Sequence, residues 1–322
     1  MKKNIAVIMG GYSSEVGISM KSGQVVVDNL DTNNYQVFAV HILADKWIVS
    51  LNGKEFAIDK SDFSFTKEGE KITFDCVFNA IHGNPGENGK LVAYFDLLNI
   101  KHTSAPFYQM ALTFNKRDTL SVLKEYGVKC AKSIYINKGD KIDLKNIVNT
   151  LGLPCFVKPN NAGSSFGISK VHKIENLQKA LDFAFAEDSE ILIESFLDGK
   201  EVSVGVVKFK ETTKVLPMTE IVSENDFFDY EAKYEGKSKE ITPARITNTE
   251  KDKLAQVALK IYKVLNMKGM TRADFILVNG EPHFIEINTV PGLSTESIIP
   301  QQAREAGYTL KEFFGLTVES CF

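Results

Sequence analysis

Cysteine and histidine are scarce in this sequence, and their spacing matches no common metal-binding motif. The four cysteines are Cys76, Cys130, Cys155 and Cys321, and they form no CxxC pair. The five histidines form no HExxH pair. So few and so widely separated cysteines exclude a disulfide scaffold, and they indicate neither a zinc site nor an oxidising compartment.

Long apolar runs and a strong charge of one sign are also missing. The apolar run Ile5–Met9 is shorter than a signal-peptide core and ends at Gly10-Gly11. No stretch of the sequence approaches the roughly 18 apolar residues of a membrane helix. The net charge is −3 and the pI is about 6.0, which gives no general attraction to nucleic acid or anionic lipid. We therefore expect a cytoplasmic protein with no nucleic-acid partner and no membrane partner.

The composition that remains is ordinary for a globular protein. Hydrophobic residues make up 43% of the chain and charged residues 25%. These fractions allow sizeable cores and exclude a disordered or collagen-like chain. At roughly 150 residues per domain, the 322 residues predict about two domains.

Strand and helix patterns alternate in the first third of the chain. Ile5–Met9, Tyr35–His41 and Phe74–Ile81 are apolar runs typical of buried strands. The helical stretches that accompany them predict a parallel sheet covered by helices. The loops Gly10–Glu15 and His82–Gly89 follow strands of this sheet, at the edge where such sheets bind ligands.

The rest of the chain combines strands with longer helices. Helices are predicted near Lys116–Tyr126, Ile174–Ala186 and Glu250–Leu265. The predicted strands are Pro154–Lys158, Ile191–Glu194, Lys200–Phe209, Val215–Val222, Met270–Val278 and His283–Asn288. Breaks near Ser104 and Glu187 predict three units, residues 1–104, 105–187 and 188–322.

A loop rich in glycine and serine follows the strand that ends at Lys158. In Gly163–Gly167 the glycines allow backbone N–H groups to approach phosphate oxygens, and the serines add hydroxyl donors. The loop is not a Walker A motif, in which a lysine precedes Ser or Thr. By itself the segment fits a surface hairpin turn as well as it fits a phosphate site.

Two strands near the C-terminus carry charged and amide side chains on either side of the turn Asn279-Gly280. Strand periodicity places Arg272 and Asp274 on one face. In the partner strand it places three residues on one face: Phe284, Glu286 and Asn288. A strict two-residue turn puts Asp274 and Glu286 on opposite faces. A longer turn or a β-bulge brings them together as Mg²⁺ ligands, and we predict this looser register. A solvated hairpin without a metal is the alternative.

With these segments in view, the sequence resembles the ATP-grasp enzymes and, within them, the D-alanine–D-alanine ligase family. The resemblance extends over nearly the whole chain, and its motifs are specific in their order and spacing. The matching stretches are Gly10–Glu15, His82-Gly83 with Gly86–Gly89, Lys158-Pro159 with Gly163–Gly167, Phe228–Tyr234, Arg272–Asp274, and Glu286–Thr289 with Pro291-Gly292.

The resemblance implies a mixed α/β, three-domain ATP-grasp fold with a Rossmann-like N-terminal domain that contains a parallel sheet. ATP would bind between the second and third domains. The implied reaction phosphorylates the carboxylate of a first D-alanine, and the amine of a second D-alanine then displaces phosphate. The product, D-alanyl-D-alanine, serves peptidoglycan precursor synthesis. Two Mg²⁺ ions, or Mn²⁺ ions in their place, are the implied metals, and a homodimer is the implied assembly.

The resemblance also implies a role for individual residues at the nucleotide. The implied ATP-binding residues are Lys116, Lys158, Ser164, Ser165, Glu194, Phe196, Leu197, Glu201 and Lys233. The implied metal ligands are Asp274, Glu286 and Asn288. Arg272 would stabilise the transferring phosphoryl group and the oxyanion.

Contacts to the amino-acid substrates are implied in the same way. Glu15 would bind the ammonium group of the first D-alanine, and His82 would lie near its carboxylate. Ser297 and the Ile298 N–H would hold the carboxylate of the second D-alanine at the start of a helix.

A further implied group is a hydrogen-bonded triad of Glu15, Ser164 and Tyr234, which would close residues 223–242 over the site. Tyr234 favours an amide over an ester product. Two alternatives stay open: another ATP-grasp carboxylate–amine or ester-forming ligase, and a nucleotide-binding regulator that kept the fold. The intact metal-ligand set and Arg272 argue against the regulator.

Overall fold

A computed structural model of the chain describes residues 2–161, 167–223 and 238–322. Within these ranges the chain forms three β-sheets flanked by helices, and the expected mixed α/β class is confirmed. No helix in these ranges is both long enough and apolar enough to cross a membrane.

The N-terminal sheet has eight strands in the order β6-β5-β4-β3-β2-β1-β7-β8. Its elements along the chain are β1 (Lys3–Gly10), α1 (Val16–Asn29), β2 (Tyr35–Ile42), β3 (Trp47–Leu51), β4 (Lys54–Asp59), β5 (Ser64–Lys67), β6 (Glu70–Ile72), β7 (Cys76–Asn79), α2 (Lys90–Leu97) and β8 (Lys101–His102). Strands β2, β1 and β7 run parallel, as predicted, and the short strand β8, which was not predicted, pairs parallel with β7.

The other half of this sheet corrects the expectation of a purely parallel sheet. Strands β3 to β6 extend it as antiparallel hairpins that were not predicted. The β3–β4 turn is Asn52-Gly53, with φ values of 50° and 74°. Two positive φ angles in a two-residue turn are typical of a type I′ hairpin, so an Asn-Gly signal for this half was present in the sequence.

The central sheet has four antiparallel strands in the order β11-β10-β12-β9. Its region contains α3 (Phe107–Phe114), α4 (Lys116–Glu125), β9 (Ser133–Asn137), α5 (Leu144–Leu151), β10 (Cys155–Pro159), β11 (Ser169–Val171), a 3₁₀ turn (Ile174–Asn176), α6 (Leu177–Glu187) and β12 (Glu190–Ser195). Helix α4 begins at Lys116 because the Asn115 side chain accepts a hydrogen bond from the Asp118 N–H and caps the helix.

The third sheet has six strands, with β14 paired to β13 beside the path β16-β15-β13-β17-β18. Its region contains β13 (Lys200–Phe209), β14 (Thr212–Val215), β15 (Thr219–Ser223), β16 (Ser238–Ile241), α7 (Asn248–Val264), β17 (Met270–Val278), β18 (Glu281–Asn288), α8 (Ile298–Glu305) and α9 (Leu310–Glu319). The central strands β13 and β17 have the bounds predicted from the sequence.

One hydrophobic core joins the N-terminal sheet to the C-terminal helices. Phe78 of β7 and Phe314 of α9 meet edge to face, with ring centroids 5.7 Å apart. Val7, Leu293 and Ile299 lie in the same core. This burial holds the carboxyl edge of the N-terminal sheet beside the segment that follows β18.

The three sheets divide the chain unevenly. Strand β12 lies beyond the predicted break near Glu187 but pairs within the central sheet. A division by sheet therefore falls between Ser195 and Lys200. The domain boundaries 1–104, 105–187 and 188–322 stay a prediction.

Candidate active site

Two loops at the carboxyl edge of the N-terminal sheet lie against each other. Glu15 is buried and occupies the N-cap position of α1. A Cβ on Gly83 would lie 2.8 Å from Glu15 Oε2, closer than two nonbonded heavy atoms normally come. Glycine at position 83 therefore allows the loop after β7 to pack directly on Glu15.

His82 is buried, and both ring nitrogens have partners. Nδ1 lies 2.8 Å from the Val290 carbonyl oxygen, and Nε2 lies 3.0 Å from Ser22 Oγ. Because a carbonyl oxygen only accepts, Nδ1 carries the proton and the Ser22 hydroxyl donates to Nε2. Burial lowers the pKa of His82, although the nearby Glu15 carboxylate opposes this shift. The ring is therefore held neutral in one tautomer.

Glu87 accepts hydrogen bonds from three backbone N–H groups. Its Oε2 accepts from Gly83 at 3.2 Å, and its Oε1 accepts from Thr289 at 3.2 Å and Val290 at 3.3 Å. Burial raises the pKa of Glu87 to about 7, and repulsion from Glu15 adds to the shift. Glu87 stands in one of the motifs that carry the resemblance, but no role was predicted for it or for Ser22.

The hairpin β17–β18 has the looser register predicted for a shared metal site. Next to the turn, Val278 pairs with Glu281, as a two-residue turn requires. A β-bulge between Asp274 and Phe275 then shifts the register, so that Asp274 pairs with Glu286. Paired residues share a face of the sheet, so the predicted looser register is confirmed.

The same bulge makes one expectation wrong. Phe284 pairs with Phe275, and the two rings pack edge to face, 5.9 Å apart, in the core. Phe284 therefore faces the opposite side of the sheet from Glu286. Simple strand periodicity failed here because the bulge adds Ile285 between the two residues without a partner.

Asp274 lies at the centre of a polar cluster on the face of the hairpin that it shares with Glu286. Ser203 Oγ donates to its Oδ1 at 2.6 Å, and Arg272 donates from Nε at 3.0 Å and from Nη2 at 2.9 Å. Asn288 Nδ2 donates to its Oδ2 at 3.2 Å. Ser203 was not predicted, since its role depends on β13 lying beside β17.

Two lysines that the family resemblance assigns to ATP lie beside acidic residues. Lys116 Nζ lies 3.6 Å from Glu286 Oε2, which links the start of α4 to the hairpin. Lys158 forms an ion pair with Glu194, and both side chains are buried. Glu194 Oε1 is buried and has no hydrogen-bond partner in the part of the chain that the structure describes. A buried, unpaired carboxylate oxygen suits a ligand that brings a hydrogen-bond donor.

The other predicted nucleotide residues lie along the link between the second and third sheets. Phe196 and Leu197 follow β12, and Phe196 is 36% exposed with Lys170 Nζ 4.3 Å from its ring centroid. Glu201 lies on β13 opposite Ile276 of β17. The predicted residues outside the described ranges are Ser164, Ser165, Lys233 and Tyr234.

The predicted subsite for the second carboxylate lies at the start of α8. Ser297 is the N-cap residue, and Ile298 is the first residue of the helix. Ser297 Oγ lies 2.7 Å from Ser294 Oγ and does not cap the helix. Helix N-terminal N–H groups favour an anion, as the prediction requires.

Family models describe nearly the whole chain. The D-ala D-ala ligase N-terminus matches residues 4–105, and the D-ala D-ala ligase C-terminus matches residues 122–317. The chain is 60% identical over 318 residues to the D-alanine–D-alanine ligase of Flavobacterium johnsoniae, with 98% of each chain covered. The chain belongs to the D-alanine–D-alanine ligase family.

Solved structures of ligases share the fold of this ligase family member. The VanG D-Ala:D-Ser ligase from Enterococcus faecalis matches with a TM-score of 0.89, 28% identity and 100% of both chains covered. The D-alanine–D-alanine ligase from Bacillus anthracis complexed with ATP matches with a TM-score of 0.80 and 25% identity, over 99% of this chain and 97% of that one. The expected ATP-grasp fold is thereby confirmed.

Proposed function

We propose that this ligase uses ATP to join two D-alanine molecules through a D-alanyl phosphate. The observation that carries the proposal is the bulged hairpin, which gathers Arg272, Asp274, Glu286 and Asn288 on one face beside Lys116. Cationic groups next to paired carboxylates suit a reaction that moves phosphoryl charge between two oxygens.

The reaction has two steps. A carboxylate oxygen of the first D-alanine attacks the γ-phosphorus of ATP, the bond to the β–γ bridging oxygen breaks, and ADP leaves. The amine of the second D-alanine then attacks the acyl carbon, the acyl–phosphate bond breaks, and phosphate leaves with the electron pair. The amine loses a proton, and D-alanyl-D-alanine forms for peptidoglycan precursors. Arg272 would balance the charge on the phosphoryl group and the oxyanion.

The nucleotide would lie between the second and third sheets. Lys116 and Lys158 supply positive charge for its phosphates, and the exocyclic amine of adenine would donate to Glu194 Oε1. Phe196 and Leu197 would line the adenine pocket, and Glu201 would bind the ribose. Family resemblance alone supports nucleotide contacts by Ser164, Ser165 and Lys233.

The donor set on the hairpin fits Mg²⁺. Two carboxylates and an amide oxygen, from Asp274, Glu286 and Asn288, leave coordination positions for phosphate oxygens and water. These residues would hold two Mg²⁺ ions, or Mn²⁺ ions. The metals would neutralise charge on the β- and γ-phosphates during transfer.

The amino-acid substrates would lie between the N-terminal loops and α8. Glu15 would bind the first ammonium group, and the triad with Ser164 and Tyr234 rests on family resemblance. His82 would lie near the first carboxylate. A direct hydrogen bond from Nε2 would require the ring to give up Ser22 and to gain a second proton, because Nε2 of the neutral ring is an acceptor. Ser297 and the Ile298 N–H would bind the second carboxylate.

The family also supports the assembly, location and organisation that we propose. The ligase would act in the cytoplasm as a homodimer, without a nucleic-acid or membrane partner. Each subunit would contain three domains, with ATP between the second and third.

Measurement of ADP release with defined amino acids tests the proposal. We expect ADP release that depends on D-alanine and on Mg²⁺, with D-alanyl-D-alanine as the product. L-alanine should give little turnover, and equal turnover with it would contradict D-specificity. Parallel reactions that add D-serine or D-lactate to D-alanine identify the preferred second substrate. No ADP release under any of these conditions would overturn the catalytic proposal.

A further inference from the structure

Three side chains of the N-terminal loops and α1 hold the backbone that follows β18. Glu87 Oε1 accepts from the Thr289 and Val290 N–H groups at 3.2 and 3.3 Å. His82 Nδ1 donates to the Val290 carbonyl at 2.8 Å, and Ser22 Oγ accepts from the Leu293 N–H at 3.1 Å. We call residues 289–293 the post-hairpin segment.

The post-hairpin segment connects two parts of the proposed site. Asn288, a proposed metal ligand, immediately precedes it, and Ser297 with Ile298 follows it at the start of α8. Leu293 is buried in the core shared by the N-terminal sheet and α8. A shift of this segment would therefore move the second carboxylate subsite relative to the loops that carry Glu15 and His82.

Ser22 and Glu87 are well suited to fix this segment. The Ser22 hydroxyl accepts from Leu293 and donates to His82, so one oxygen sets both the segment and the tautomer of the imidazole. Glu87 also accepts from Gly83 at 3.2 Å, so its two oxygens join the loop after β7 to the segment.

We propose that Glu87 and Ser22 are positioning residues that hold the post-hairpin segment and thereby set the affinity for the second D-alanine. This inference rests on the proposed function, because it assigns the second substrate to the α8 subsite. It adds two residues to the machinery for that substrate and gives them a role distinct from contact with ATP.

Steady-state kinetics separates this role from a general loss of stability. Glu87→Ala and Ser22→Ala should each raise the Michaelis constant for the second D-alanine by about tenfold. Each variant removes at least two buried hydrogen bonds, and two bonds between neutral groups are worth about this factor. The Michaelis constant for ATP should change by less than about twofold. Glu87→Gln keeps one oxygen acceptor for Thr289 and Val290 but turns an amide N–H toward the Gly83 N–H, so it should recover part of the affinity.

A matched control comes from the same helix. Ser19 is buried one turn before Ser22, and its Oγ accepts from the Gly10 N–H and donates to the Ala80 carbonyl, both at 2.8 Å. Ser19→Ala therefore loses a similar pair of hydrogen bonds, but its partners are Gly10, the last residue of β1, and Ala80, which directly follows β7, and neither belongs to the post-hairpin segment. We expect Ser19→Ala to lower stability without changing the Michaelis constant for the second D-alanine.

Hydrogen exchange of the post-hairpin segment gives a readout that does not depend on activity. Exchange of a peptide spanning residues 289–293 should be faster in Glu87→Ala and Ser22→Ala than in the wild type or Ser19→Ala. Unchanged exchange would overturn the positioning role. Faster exchange with an unchanged Michaelis constant for the second D-alanine would overturn the link between the post-hairpin segment and the second substrate. A wild-type protein that releases no ADP with D-alanine would instead contradict the proposed function. The hydrogen-exchange result would still test the positioning role independently of activity.

Discussion

Arg272 and Asp274 show how one strand builds a charged surface. They are two residues apart on β17, so their side chains lie on the same face, and the guanidinium donates to both carboxylate oxygens. Ser203 and Asn288 also donate to Asp274. Ser203 and Asn288 therefore still hold Asp274 when Arg272 is replaced, so the role of Arg272 can be tested without displacing Asp274.

At the residue scale, we predict that Arg272→Met lowers kcat far more than it weakens ATP binding. Loss of one preorganised donor to the transition state costs on the order of 10²- to 10³-fold in rate. Measurement of kcat beside the dissociation constant for ATP checks this. Arg272→Lys, which keeps the charge but loses the planar fork, should recover part of the rate. If ATP affinity falls as much as kcat, Arg272 binds nucleotide rather than the transferring group.

At the scale of elements, the hairpin β17–β18 combines a tight turn with a bulge. Asn279 and Gly280 have φ values of 51° and 75°, as a type I′ turn requires. The bulge at Asp274/Phe275 then re-aligns the strands, so that Asp274 and Glu286 face one side and Phe275 and Phe284 face the core. The turn fixes the strand pairing next to it, where Val278 pairs with Glu281, and the bulge fixes the pairing of Asp274 with Glu286 at the site.

We predict opposite effects of alanine at two glycines in different elements. Gly280→Ala should lower the free energy of unfolding by about 1 kcal/mol, because a Cβ there has space but φ is positive. Gly315→Ala lies inside α9, where a Cβ meets no atom within 4 Å, and should raise the free energy of unfolding by about 0.5–1 kcal/mol. Denaturant unfolding measures both. Destabilisation by both variants would contradict the assignment of the Gly280 effect to backbone conformation.

At the scale of the whole molecule, the site exists only because distant segments meet. His82 bonds to Val290, 208 residues away, and Lys116 of α4 lies beside Glu286 of the third sheet. The core that joins Phe78 to Phe314 holds the N-terminal sheet in this position. Ligands that contact several of these segments should therefore stabilise the entire protein.

We predict that Mg²⁺ and ATP together raise the free energy of unfolding by about 2.7 kcal/mol at a ligand concentration of 100 times Kd. Thermal unfolding should show an increase in Tm that a metal chelator largely removes. AMP, which lacks the β- and γ-phosphates, serves as the control and should give a much smaller increase. An equal increase with and without chelator would contradict a nucleotide site that depends on the hairpin metals.

Much of the fold and of the site could be predicted from short stretches of the sequence. The bounds of β13 and β17, the start of α4 at Lys116 and the parallel half of the N-terminal sheet follow from periodicity and capping. Arg272, Asp274 and Glu286 were recognised because their residue types and order are specific. The antiparallel strands β3 to β6 were missed, although their Asn-Gly turn is visible in the sequence.

The sequence by itself determined the family, the mixed α/β class and the inventory of charged groups, since motifs and periodicity are properties of neighbouring residues. Only the tertiary structure decided that Asp274 pairs with Glu286 and that Phe284 faces the core, because a bulge depends on how the two strands pack. It also decided the partners of Ser22 and Glu87. Every residue except proline offers the same backbone N–H, so the sequence cannot show which of these groups a buried oxygen will accept from.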